Sequence, residues 1–120
     1  MSRVVLLALP EDLADQLSLV LDEESHQVTR QQSFPDDRPD PQPEVIFLSG
    51  DSPNFVYNIY LVRSTEPQVP VVVVTRMPDM DRWLDALEAG ARDYCGAPFE
   101  RVQIRWIMDT VCPRAGQRAA

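Results

Sequence analysis

Three apolar runs constrain this chain more than any other feature: Val4–Leu9 (VVLLAL), Glu44–Leu48 (EVIFL) and Val69–Val74 (VPVVVV). None of them alternates apolar with polar residues, and each is rich in β-branched or large aliphatic side chains. Strands of that kind need cover on both faces, because a sheet with one wet face would show a period of two. The cover is written between them. Leu13, Leu17, Val20 and Leu21 recur at helical spacing from Pro10-Glu11-Asp12 to about Glu24, and the early proline and carboxylates suit a helix start. Val56, Ile59, Tyr60 and Val62 do the same from Asn54 to about Ser64. Trp83, Leu84, Leu87 and Ala89 follow from Asp79 to a stop at Gly90, and a last helix runs from Glu100 to about Val111. Short strands fall near Gln27–Arg30 and at Asp93–Cys95. Strands alternating with helices predict a parallel sheet between two helical layers in one α/β domain.

One stretch breaks the alternation. Residues 34–43 hold Pro35, Pro39, Pro41 and Pro43 among three aspartates, a proline density that no helix survives. The sequence therefore predicts an irregular loop there, followed by no helix before the third strand. Residues 113–120 read as a polar tail or linker, leaving residues 1–112 as the domain.

Charge and cysteine usage narrow the function. With 19 acidic against 11 basic residues the chain carries −8, so its average surface repels a phosphate backbone and direct nucleic-acid binding is not expected. No apolar run approaches the ~18–20 residues of a membrane span. The N-terminal MSRVVLLALPED reads as a buried first strand rather than a signal peptide. Cys95 and Cys112 belong to no CxxC or Cys/His cluster and read as free thiols of a reducing cytosol. The single His26 has no base or metal-ligand spacing around it, and no metal or cofactor is expected.

The second half of the chain resembles the response-regulator receiver family, of CheY-like, flavodoxin-like fold. Val69–Thr75 is similar to that family's fourth strand, and Ala89-Gly90-Ala91-Arg92-Asp93-Tyr94 to its A-G-A-x-x-Y signature. Ala97-Pro98-Phe99 is similar to its K-P-F turn, and Pro43–Ser49 to its third strand; the match spans about residues 3–112. The resemblance implies a doubly wound, five-stranded parallel sheet in three α/β/α layers, with the second helix missing or replaced by the Pro-rich loop. It also implies a cis Ala97–Pro98 bond.

Receiver domains hold Mg²⁺ with two acidic residues after the first strand and accept phosphate on an aspartate after the third. A Thr or Ser hydroxyl and a Lys ammonium then read the phosphoryl group. Mapped residue by residue, the acidic pair falls on Ala8 and Leu9, the acceptor on Ser49 and the lysine on Ala97. Only Thr75 and Tyr94 keep the family residue type. A hard cation wants carboxylate oxygens and a transferred anion wants positive charge beside it, so the resemblance implies a pocket without its chemistry. The resulting expectation is a non-enzymatic, phosphorylation-independent signalling domain that works through a protein partner or a homodimer. It can equally be fused to an output domain.

The surface implied by the resemblance is the face of the family's fourth helix, fifth strand and fifth helix, with Trp83, Tyr94, Trp106 and Ile107 as its residues. Leu84 and Leu87 are expected to turn toward the sheet. In the last helix, Ile104, Met108 and Val111 are assigned to the core and Ile107 is left off that stripe. Two alternatives remain open. Asp51, two residues beyond Ser49, can serve as a displaced phosphoacceptor. A flavodoxin-type nucleotide or flavin binder is the other, although Leu9-Pro10-Glu11-Asp12 lacks the Gly- or Ser/Thr-rich phosphate loop this requires.

Overall fold

The computed structural model describes residues 2–32 and 42–111. Five strands, β1 (Arg3–Leu7), β2 (Gln27–Gln31), β3 (Val45–Ser49), β4 (Val71–Thr75) and β5 (Asp93–Gly96), pair in parallel in the order β2-β1-β3-β4-β5. Four helices connect and cover them: α1 (Glu11–Glu23), α2 (Phe55–Thr65), α3 (Met80–Ala89) and α4 (Arg101–Val111). The order reverses after β1, which opens a crevice at the carboxyl ends of β1, β3 and β4, the usual place for a site in a doubly wound sheet.

The period of two sorts the strand residues between two cores. Val4, Leu6, Val45, Phe47, Val72, Val74 and Cys95 pack against Leu13, Leu17 and Leu21 of α1 and Ile104, Ile107, Met108 and Val111 of α4. Val5, Leu7, Ile46, Leu48, Val71 and Val73 face the other way, onto Phe55, Ile59 and Val62 of α2 and Ala86 and Ala89 of α3. β3 and β4 are buried at every position, as their continuous apolar runs require. β2, at the edge, is polar and largely exposed, which blunts an open strand edge.

Two expectations are corrected here. Ile107 is core, with 2% of its surface exposed. Residues 104, 107, 108 and 111 follow the i, i+3, i+4, i+7 pattern of one helix stripe, so the core-facing side of α4 needs Ile107 as well as Ile104. In α3 the inward residues are the small Ala86 and Ala89, while Leu84 and Leu87 are exposed. Helix α3 thus meets the sheet with methyl groups and carries its large apolar side chains outward.

Helix boundaries follow local chemistry. The Asp79 side chain caps α3, accepting from the backbone N–H of Asp81 at 2.8 Å and of Arg82 at 3.4 Å. Gly90 ends the helix at φ 110°, a left-handed conformation natural to glycine, and a Cβ there would also displace the end of the Arg63 side chain. The Ala97–Pro98 bond is cis. Of the Pro-rich loop expected over residues 34–43, only Gln42 and Pro43 are among the described residues, and the polar tail lies outside them. Among the described residues no helix is long and apolar enough to cross a membrane.

Candidate functional site

The crevice is formed by the ends of β1, β3 and β4 and the loops that leave them. At the end of β1, Ala8 has φ 58°, a left-handed conformation that costs a non-glycine residue about 1–2 kcal/mol. It is held there by its N–H donating to the Gln31 carbonyl at 2.7 Å. Ala8 packs onto the α2–α3 core, whereas Leu9 is buried in the α1–α4 core. The side chains of Ala8 and Leu9, which the resemblance sets against the family's acidic pair, therefore contribute apolar packing.

Ser49 ends β3 with 2% of its surface exposed. Its hydroxyl accepts the Asp51 backbone N–H at 3.2 Å, so it closes a turn. Asp51 brings a carboxylate into the crevice. The Thr75 hydroxyl, buried at the end of β4, donates to Asp51 Oδ1, and the Arg76 backbone N–H donates to both carboxylate oxygens at 3.3 and 3.2 Å. Thr75 Oγ1 in turn accepts from the Met77 N–H at 3.3 Å. Ala97 packs against the α1–α4 core and brings no charge; its N–H donates to the Thr75 carbonyl at 2.9 Å.

The organising residue is Arg76, which the sequence reading passed over. Its guanidinium meets the Asp12 carboxylate with two nitrogens, Nε at 3.2 Å from Oδ2 and Nη2 on Oδ1. Nη1 lies 3.9 Å from Asp51 Oδ2. One cation thus bridges a carboxylate from the start of α1 and a carboxylate from the β3–α2 loop. The hydrogen bonds to Arg76 hold the Asp12 carboxyl below its usual range, and those to Asp12 raise Arg76. A sequence signal existed: a basic residue directly after a fully buried strand, in a loop that faces an acidic helix start. Arg82 adds a further tie, donating through Nη1 to the Gly50 carbonyl at 2.7 Å.

This donor set does not fit the Mg²⁺ that receiver domains use. Ala8 and Leu9 offer no side-chain oxygen, and both nearby carboxylates already face a guanidinium. Among the described residues no group of three or more His, Cys, Asp or Glu side chains is placed to hold a metal ion.

On the flank of α3 and β5 lies an open groove of about 300 Å³ lined by Pro78, Asp79, Met80, Trp83 and Tyr94. Trp83 is 40% exposed, and Met80, Leu84 and Leu87 stand exposed on the same helix. Tyr94 is half-buried, and its hydroxyl accepts the Asp79 N–H at 3.4 Å. The groove brings Trp83 and Tyr94 together. It includes neither Trp106, which is 62% exposed on α4, nor the buried Ile107. Cys95, on the core side of β5, is a buried thiol pushed up to about 12 by desolvation and, secondarily, by the nearby Asp93 charge; Cys112 lies outside the described residues.

No protein-family model matches the chain, and no curated protein matches it. Among solved structures it is similar to a BeF3-activated DrrB receiver domain, at 19% identity and TM-score 0.78, over 95% of this chain and 99% of that one. A response regulator from Thermotoga maritima matches at 15% identity and TM-score 0.79, over 95% of this chain and 100% of that one. NtrX from Brucella abortus matches at 15% identity and TM-score 0.76, over 92% of this chain but only 26% of its own. The fold is that of CheY-like receiver domains.

Proposed function

We propose that this chain is a receiver-type signalling domain of a two-component response regulator that acts by protein contact, without phosphorylation and without enzymatic activity. The observation that carries the reading is the crevice itself. Where phosphoryl transfer needs a cation and a free acceptor, this chain has two alkyl side chains and a carboxylate already engaged by Thr75 and Arg76. Asp51 against Thr75 is the feature that favours the alternative, a displaced phosphoacceptor. Against that alternative stand the lack of a metal-binding pair and of the lysine replaced by Ala97. The flavodoxin-type alternative lacks a phosphate loop, and purified protein without a nucleotide or flavin absorbance band disposes of it.

The contact surface of this reading is the α3–β5 flank with Trp83, Tyr94 and Met80, extending toward Trp106 on α4. It serves a second copy of the domain or a protein partner, in the cytoplasm. Residues 1–112 form the signalling unit and residues 113–120 a tail or linker, compatible with fusion to an output domain. The −8 charge argues against direct nucleic-acid contact. The test is incubation with acetyl phosphate or beryllofluoride plus Mg²⁺, read by intact mass and by Asp51 and Thr75 amide shifts. No adduct and no shift are expected. A stoichiometric phosphoryl adduct on Asp51 overturns the reading.

A further inference from the structure

We propose that Arg76 is an internal latch: its guanidinium, bridging Asp12 and Asp51, ties the three loops of the crevice together and holds the β4–α3 loop in one arrangement without any bound ion or modification. Three separate parts of the chain meet on this one side chain. Asp12 comes from the first turn of α1, Asp51 from the loop after β3, and Arg76 itself from the loop after β4. The contact with Asp12 is two-pronged, a geometry that the planar guanidinium supports and an ammonium does not. The contact with Asp51 is reinforced by the Arg76 backbone N–H and the Thr75 hydroxyl. Mobility of the β4–α3 loop would therefore break several bonds at once.

The tie continues along the chain toward the groove. Thr75 Oγ1 accepts from the Met77 N–H, and two residues later the Asp79 N–H donates to the Tyr94 hydroxyl. Between them Pro78 seats on Gly96 of β5, so closely that a Cβ there would lie 2.2 Å from the proline ring. The loop from Thr75 to Asp79 is thus pinned at the crevice by Arg76 and at the groove by Tyr94 and Gly96. The latch goes beyond the signalling reading and stands without it; only its effect on docking at the groove depends on that reading.

Hydrogen exchange of the whole chain tests the latch, because the Asp51, Met77 and Asp79 amides each donate to a side-chain acceptor within this network. In R76A, which keeps the backbone N–H to Asp51 but loses the guanidinium, these three amides should exchange roughly five-fold faster or more. D12N should produce a smaller rise at the same amides, and R76K should fall between R76A and the parent. The Val72 and Val73 amides in β4 serve as the internal reference and should not move. Unchanged exchange at Asp51, Met77 and Asp79 in both R76A and D12N overturns the latch. So does an equal acceleration of the β4 amides, which would mean that the variants merely loosen the whole domain. The exchange is measured without phosphodonor or Mg²⁺, so failure of the latch is read here and failure of the phosphorylation-independent reading only in the separate phosphodonor experiment.

Discussion

The crevice at the strand ends and the flank of α3 lie on either side of one loop, and they are opposites. The crevice is polar and closed on itself: every carboxylate that enters it meets a guanidinium, a hydroxyl or a backbone N–H. The flank is apolar and open, with Met80, Trp83, Leu84 and Leu87 exposed on one helix. Polar groups that satisfy one another have no demand left for a ligand, whereas apolar surface in water is an unmet demand. Under the proposed reading, the contrast teaches where a domain of this fold keeps its purpose without phosphoryl transfer. On that reading, the positions that phosphoryl transfer uses hold alkyl side chains and an internal ion pair, while a contact surface needs only that large side chains point outward.

The contrast is sharpest between two residues that the sequence placed together, Ile107 and Trp83. Ile107 fills the α1–α4 core among Leu6, Leu17 and Met108, so truncating it leaves a cavity that a close-packed interior fills poorly. Ile107→Ala is expected to cost about 2–5 kcal/mol in chemical denaturation. A cost within ~0.5 kcal/mol, the range of an ordinary surface substitution, would return Ile107 to the surface and erase the distinction.

The sheet was legible because buried parallel strands announce themselves: β1, β3 and β4 are runs that no half-wet strand could carry. The residues of the crevice were named in the sequence as well, since the resemblance set Ala8, Leu9, Ser49 and Ala97 against the family's charged positions; that the pocket lacks its chemistry remains the proposal tested above. Which side of a helix faces inward was less so. In α3 the leucines and tryptophan matched helical periodicity as well as any core stripe, but the side that packs inward carries Ala86 and Ala89. In α4 a stripe counted at i, i+4 and i+7 omitted the i+3 member, Ile107. The Arg76 bridge was hidden for another reason. Asp12, Asp51 and Arg76 are far apart in sequence, and only the strand order brings their loops to one place.

The core side of β5 supplies the next largest effect. Cys95 is a buried thiol whose ionisation is pushed from about 9 up to about 12. The unfolded chain therefore releases this proton first as pH rises. Between roughly pH 9 and 12 the folded state holds a proton that the unfolded state has lost, and stability falls with a slope approaching 1.4 kcal/mol per pH unit. Below pH 9 the contribution is fully present. Cys95→Ala should flatten that alkaline fall, and in the parent at pH 8 the Cys95 peptide should resist iodoacetamide until denaturant is added. Prompt alkylation of Cys95 in the native protein would place it outside the core, on the exposed side of β5 with Tyr94.

Trp83 carries the smallest change in stability and the largest expected consequence for contact. It borders the groove with Met80 and Tyr94, and two-fifths of its surface is open to water. Trp83→Ala removes packing only on the flank, so the domain should lose far less stability than Ile107→Ala and its unfolding should remain a single transition. The effect on association runs the other way. A tryptophan at the centre of an apolar patch is the type of residue that carries binding energy, and its truncation typically costs more than ~1–2 kcal/mol. Sedimentation equilibrium of the parent and of Trp83→Ala, or titration with a partner captured by the parent, measures that difference. Trp106→Ala is the matched control, since Trp106 is equally large, more exposed and outside the groove. If Trp83→Ala weakens association and Trp106→Ala does so less, the flank of α3 is the working surface. If the order is reversed, the contact is centred on α4, and the groove beside Tyr94 has only the structural role of seating the β4–α3 loop.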